Sequence, residues 1–197
     1  MKRICVFCGS SMGQSPVYRE AAASLGRLLA EKGIGLVYGG ANVGLMKELA
    51  DATLAAGGKV IGVMPHQLIS KEIAHPDIHQ LHAVTSMAER KDLMVSLSDA
   101  FIALPGGYGT LDELSEILTF NQLRISDKPL GLLNIEGYFD LLLRFFDRGV
   151  EDGFVRKEHR QNLIVTHNNE EMLTLLNNWK PVETTKWIAD IRQESQI

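Results

Sequence analysis

The segment from Ala100 to Glu113 constrains the fold more than any other stretch of this sequence. It opens with Ala100-Phe101-Ile102-Ala103-Leu104, a short unbroken apolar run of the kind that lies in a parallel sheet covered on both faces. It continues through Pro105-Gly106-Gly107-Tyr108-Gly109-Thr110 and ends with Leu111, Leu114, Ile117 and Leu118 at helical spacing. A strand joined to a helix through a turn with few side chains leaves the first N–H groups of the helix unpaired. They sit at the positive end of its dipole, where glycine lets a ligand come close. The predicted occupant is a phosphate. The same letters also spell a capping box, in which Glu113 of Thr110-x-x-Glu113 folds back on the cap residue's own N–H. Glu113 and Glu116 share one helix face beside the supposed anion site. A carboxylate held there would repel a phosphate, so the glutamate must serve another part of the ligand. That division suits a phosphorylated substrate whose reacting centre lies some distance from its phosphate.

The rest of the chain repeats the alternation of strand and helix. Strands are predicted over Ile4 to Phe7, Gly35 to Tyr38, Lys59 to Met64, Ile78 to Val84, Ala100 to Leu104, Pro129 to Leu133 and Leu163 to Val165. Helical patterns fill most of the gaps. About seven such strands imply an α/β fold, a doubly wound parallel sheet with helices on both faces. The region from Ile69 to Pro76 mixes helix formers with a proline and is the least defined. We expect one nucleotide-binding domain over residues 1–180, with 181–197, around Trp187 and Ile191, as a C-terminal helix or arm. Ligands of such sheets sit beyond the carboxyl ends of the strands, where the strand order reverses. Three of those ends carry small residues: Gly9-Ser10-Ser11, Gly39-Gly40-Ala41-Asn42-Val43-Gly44 and the Pro105 to Thr110 turn. Any one is ordinary turn chemistry, but three on one edge favour a ligand of nucleotide size.

Composition removes several function classes. The 197 residues carry a formal net charge of -4, which argues against a broad nucleic-acid surface, since that needs clustered Lys and Arg. The N-terminus runs straight into a strand, and no apolar run approaches membrane-spanning length, so no membrane partner and a cytoplasmic location are expected. Cys5 and Cys8 spell C-x-x-C within a probable strand, where their side chains point to opposite faces, so they read as structural thiols. His66, His75, His79, His82, His159 and His167 match no zinc pattern, and Pro76 argues against a helix that would join His75 to His79. No G-x-G-x-x-G and no Walker lysine pattern occurs. No cofactor and no metal are expected.

The residues then carry a resemblance. Pro105-Gly106-Gly107-Tyr108-Gly109-Thr110-x-x-Glu113 resembles the P-G-G-x-G-T-x-x-E signature of the LOG ("lonely guy") family, the cytokinin riboside 5'-monophosphate phosphoribohydrolases once labelled possible lysine decarboxylases. Val6-Phe7-Cys8-Gly9-Ser10-Ser11, Tyr38-Gly39-Gly40 with Gly44-Leu45-Met46, Met87-x-x-Arg90-Lys91, Ser98-Asp99-Ala100 and Lys128-Pro129-Leu130-Gly131-Leu132-Leu133-Asn134 agree with it in order and spacing. The resemblance implies a Rossmann-like fold, a homodimer, and hydrolysis of the N-glycosidic bond of a nucleoside 5'-monophosphate to free base and ribose 5-phosphate. It also implies that Arg90 and Glu113 are the catalytic pair. Ala41 and Lys47 stand where relatives often have glycine, Phe120 replaces a common tryptophan, and Leu123-Arg124-Ile125-Ser126 departs from a Leu-Gly-Ile-His-like segment. These departures bear on base preference and on how ribose or phosphate is held.

The chemistry agrees. Breaking a ribosyl bond spreads positive charge over C1' and the ring oxygen, so a carboxylate near the sugar helps most as the bond breaks. Glu113 suits that role and the activation of water. Glu116 suits the ribose hydroxyls, which donate hydrogen bonds well. Arg90 stays protonated, so it orients and stabilises rather than donating a proton. Thr110, Gly107 and Gly109 suit the 5'-phosphate. Gly9, Ser10, Gly39, Gly40, Met87, Lys91, Gly106 and Tyr108 complete the candidate substrate-binding set.

Several of these residues have structural alternatives. Ser86-x-x-Glu89 spells another capping box that would leave Arg90 and Lys91 on a solvated helix face. Ser10 is either a ligand contact or the cap of the first helix. The run from Tyr138 to Phe146 is apolar around too much of a helix for one stripe, which points to core burial or a subunit contact. The alternative function is a non-catalytic nucleotide or molybdenum-cofactor carrier, which needs the phosphate cradle but no carboxylate. A lysine decarboxylase is disfavoured, because no pyridoxal-phosphate lysine with its supporting acid and arginine is evident.

Overall fold

The protein was analysed as a computed structural model that describes residues 1–71 and 73–181. The strands are β1 (Arg3–Phe7), β2 (Gly35–Tyr38), β3 (Val60–Pro65), β4 (Gln80–Val84), β5 (Ala100–Ala103), β6 (Leu130–Leu133) and β7 (Ile164–Thr166). They form one sheet in the order β4-β3-β2-β1-β5-β6-β7, and every pairing is parallel. The helices are α1 (Pro16–Glu31), α2 (Gly44–Ala55), α3 (His66–Ile69), α4 (Met87–Leu97), α5 (Tyr108–Leu123), α6 (Asp140–Glu151), α7 (Lys157–Gln161) and α8 (Asn169–Asn178). The chain winds outward from β1 to β4, then crosses back to set β5 on the other flank of β1. Strand order therefore reverses between β1 and β5, and their carboxyl ends flank the crevice that such sheets offer to ligands. This is the doubly wound sheet that the strand pattern predicts, with the ends of individual strands moved by a residue or two.

The period-2 alternation of strand side chains divides the core in two. Ile4, Val6, Leu36, Tyr38, Ile102 and Leu104 pack toward Leu25 and Leu29 of α1, Leu45 and Leu49 of α2, and Met172 and Leu176 of α8. Cys5, Phe7, Val37, Phe101 and Ala103 pack on the opposite face toward Met94 of α4 and Leu114 and Ile117 of α5. Both faces of β5 are thus covered, as its unbroken apolar run requires. Cys5 and Cys8 fall in opposite clusters as free thiols, and burial pushes both above the ordinary thiol range, which leaves them protonated and unreactive.

The first helix is capped by Ser15, whose Oγ accepts from the Val17 N–H, so Ser10 has no capping role. Ser86 does cap α4, accepting from the Glu89 N–H at 3.1 Å, while Glu89 accepts from the backbone and hydroxyl of Thr85. Among the described residues of the Ile69 to Pro76 region, Ile69 ends the one-turn α3, Ala74 forms an isolated bridge with Ala41, and His75 is buried with Nε2 at 2.9 Å from Asp51. Core burial of the run from Tyr138 to Phe146 is partial: Phe139 is buried in the core, while the helix that follows it is not. Helix α6 has no fully buried residue, and Leu141 and Phe145 are 76% and 70% exposed. Leu142, Leu143 and Phe146 pack partly against the core, so only one side of the helix finds cover. The expected C-terminal arm lies, apart from Pro181, outside the described residues. Among the described residues no helix is long and apolar enough to cross a membrane.

Candidate active site

At the crevice between the ends of β1 and β5, helix α5 begins at Tyr108 with Gly107 as its N-cap, and no side chain caps it. The first-turn N–H groups are therefore not occupied by a side chain. The capping-box reading of Thr110-x-x-Glu113 fails because the helix starts three residues before Thr110's supposed first turn, and Glu113 points elsewhere. Its Oε1 accepts from Arg90 Nη1 at 2.8 Å. Arg90 reaches in from α4, and its Nε donates to the Val63 carbonyl at 3.0 Å. Both side chains are buried, at 9% and 8% residue exposure. Arg90 is thus not on a solvated helix face, although Ser86 and Glu89 do form a cap around the same helix start.

A buried ion pair on this scale is unfavourable for folding unless its geometry is good, since both ions lose hydration. The carboxyl of Glu113 records that cost. Burial pushes it above the ordinary carboxylate range, and the Arg90 guanidinium pulls it back only in part. A carboxyl raised toward neutrality beside a fixed cation, in a crevice, is the arrangement expected of an acid–base group.

A cavity of about 180 Å³ lies over this pair, lined by Phe7, Cys8, Gly9, Ser10, Gly39, Met46 and residues 107–110 besides Arg90 and Glu113. The glycines of the Gly106–Gly109 turn separate into two kinds. An added Cβ at Gly106 would lie 2.1 Å from Thr110 Oγ1 and 2.8 Å from the Gly9 nitrogen, so packing alone demands glycine there. At Gly107 and Gly109 an added Cβ would meet no protein atom within 4 Å. The fold does not need glycine at those two positions, whereas a ligand resting on the backbone would.

Of the candidate residues, the crevice brings together Gly9, Ser10, Gly39, Arg90, Gly107, Tyr108, Gly109, Thr110 and Glu113. Gly106 instead lines an adjoining cavity of about 250 Å³ with Ser11, Tyr18 and Tyr138. Gly40, with φ +80°, lies against Leu81 and β3. Met87 is the half-exposed first residue of α4. Lys91 and Glu116 do not line the crevice: Lys91 Nζ lies 3.0 Å from Glu116 and 3.1 Å from Asp112, so the three stitch α4 to α5. Sequence reasoning left out Met46, whose sulfur lies by Gly39; its signal was its place in the matched Gly44-Leu45-Met46 segment. Among the described residues no cluster of His, Cys, Asp and Glu could hold a metal ion.

The profile of a family described as "Possible lysine decarboxylase" matches residues 46–176. The chain is 46% identical to the cytokinin riboside 5'-monophosphate phosphoribohydrolase LOG5 of Arabidopsis thaliana, over 100% of this chain and 90% of that protein. The chain belongs to the LOG family. Against LOG7 of the same plant, a second LOG relative, the identity is 48% over 91% of this chain and 83% of that protein. Among solved structures, the molybdenum cofactor binding protein of Rippkaea orientalis superposes with a TM-score of 0.70 at 25% identity, covering 90% of this chain and 97% of that one.

Within this LOG-family chain, two departures from the family pattern fall away from the crevice. Ala41 is buried and forms an isolated bridge with Ala74. The added cation of Lys47 pairs with Asp51 along α2. Neither residue lines the crevice.

Proposed function

We propose that this LOG-family chain hydrolyses the N-glycosidic bond of N6-modified adenosine 5'-monophosphates, such as isopentenyl-AMP, to free base and ribose 5-phosphate. The observation that carries the reading is the buried Arg90–Glu113 pair set in the wall of a crevice whose rim is the uncapped N-terminus of α5. The relatives named for this activity match across the whole chain. In this account the 5'-phosphate rests on the amides of residues 107–110, and the ribose lies toward Glu113. As the bond to the base breaks, the carboxylate stabilises the cationic sugar and takes a proton from the attacking water. Arg90 holds Glu113 in place and presents its fixed charge to the substrate, since a guanidinium is too weak an acid to give up its proton. The protein acts in this proposal as a cytoplasmic homodimer, for which the uncovered apolar side chains of α6 provide suitable surface.

The structural neighbour named as a molybdenum cofactor binding protein supports a rival reading, a carrier that binds without reacting. A carrier gains nothing from a buried carboxylate with a raised pKa beside the sugar position. Incubation of the purified protein with AMP and with isopentenyl-AMP separates the two: free adenine or isopentenyladenine is expected, and release of base from neither nucleotide would favour the carrier.

The raised carboxyl also sets a pH dependence. As a base Glu113 works deprotonated, so activity falls as pH drops through its pKa. Because burial has moved that pKa up, the acid limb of kcat/KM is expected above the ordinary glutamate value of about 4.3. A limb at or below that value in a pH profile would contradict the assignment.

A further inference from the structure

We infer that Tyr138, on the turn between β6 and α6, sets the orientation of the phosphate-binding amides. This rests on the proposed reading of the α5 N-terminus as a phosphate site. The Tyr138 hydroxyl donates to the Gly106 carbonyl at 2.6 Å, from 32 residues further along the chain. The Gly106 carbonyl and the Gly107 N–H belong to one planar trans peptide, so they point in opposite directions. A phenol that holds the carbonyl on its own side turns the Gly107 N–H away from Tyr138; Gly107 lines both the cavity it shares with Tyr138 and the crevice, and its N–H is here assigned to the crevice. The preceding peptide is tied by the same logic, because the Gly9 N–H donates to the Pro105 carbonyl at 3.1 Å. Two carbonyls that would repel an anion are thereby held out of the cradle.

The tether matters because of its neighbours. The peptide it fixes lies between two glycines, where backbone rotation meets little steric resistance, and Gly107 has open space around it. Untethered, this peptide samples orientations that present oxygen to the phosphate. The phenol itself is well supported. Residues 134–140 fold into a tight turn in which Asn134 Oδ1 accepts from the Phe139 N–H at 2.8 Å and Asn134 Nδ2 donates to Asp140 at 2.7 Å. The ring meets Tyr18 and Phe139 edge to face, with centroids 5.7 Å and 4.9 Å apart. Tyr138 is thus a positioning residue that acts through the loop backbone and not on the reacting atoms.

Tyr138→Phe keeps the ring and removes only the hydroxyl. The variant is expected to raise KM for isopentenyl-AMP about 10-fold, the scale of one hydrogen bond, and to weaken competitive inhibition by ribose 5-phosphate by the same factor. Its kcat is expected to stay within about 3-fold of the parent, and its melting temperature within a few degrees. A kcat loss with KM unchanged, or no change in either, overturns the inference. Ribose 5-phosphate inhibition of the parent protein separates this from the reading beneath it. If ribose 5-phosphate competes with substrate in the parent and Tyr138→Phe leaves that competition unaltered, the positioning role alone is wrong. If it fails to compete in the parent, the phosphate cradle is wrong and the inference falls with it.

Discussion

Replacing Glu113 by glutamine is expected to lower turnover by about 10²-fold or more while leaving ribose 5-phosphate affinity near that of the parent. The carboxamide keeps the shape of the side chain and an oxygen for Arg90 Nη1, which now bonds to Oε1 at 2.8 Å. It loses the negative charge that meets the cationic sugar and the basicity that takes a proton from water. Removing one partner of a buried ion pair can cost on the order of 3–5 kcal/mol of stability. Two features soften that cost here. The hydrogen bond survives, and burial already drives this carboxyl toward its neutral form. Glu113→Gln is therefore close to the low-pH state of the native protein, and its loss of rate shares a cause with the acid limb of the pH profile. Steady-state rates on isopentenyl-AMP, with a melting curve as control, check this, and full activity removes Glu113 from the mechanism.

The second large effect is expected at Gly107. Gly107→Val should weaken nucleotide binding by about 10²-fold or more, with little change in stability. The residue has φ -94° and ψ -150°, an extended conformation open to any L residue. Valine is thus tolerated by the backbone. An added Cβ meets nothing within 4 Å, so the isopropyl group stands in the open space where the phosphate is placed. Calorimetric titration with AMP and a melting curve read the two quantities separately. Undiminished AMP binding in a folded variant places the phosphate elsewhere.

The strands were legible because seven short apolar runs separated by helical patterns leave few alternatives to a parallel sheet. That glycines from three strand ends line one crevice was legible for the same topological reason. Arg90 was hard to read from its own neighbourhood: in Ser86-Met87-Ala88-Glu89-Arg90-Lys91-Asp92 it stands among charged letters that spell a solvated face. Its burial depends on a carboxylate 23 residues away, and local periodicity carries no trace of such a contact. The pairing of Lys91 with Glu116 is non-local in the same way, so Glu116 looked free to hold ribose. The start of α5 was not legible because a glycine N-cap leaves no side-chain signal, while Thr110 three residues on has the letter of a cap. The sequence left core burial and a subunit contact open for α6, because an apolar run does not tell how much of the helix the sheet can cover.

The central claim is that the amides opening α5 hold a nucleotide's phosphate while Glu113 faces its sugar. A crystal structure of Glu113→Gln with isopentenyl-AMP tests it most directly. The account predicts the phosphate oxygens within hydrogen-bonding distance of the Gly107 to Thr110 amides, and the ribose C1' beside the residue-113 carboxamide. A phosphate bound elsewhere, or a sugar turned away from residue 113, would contradict it.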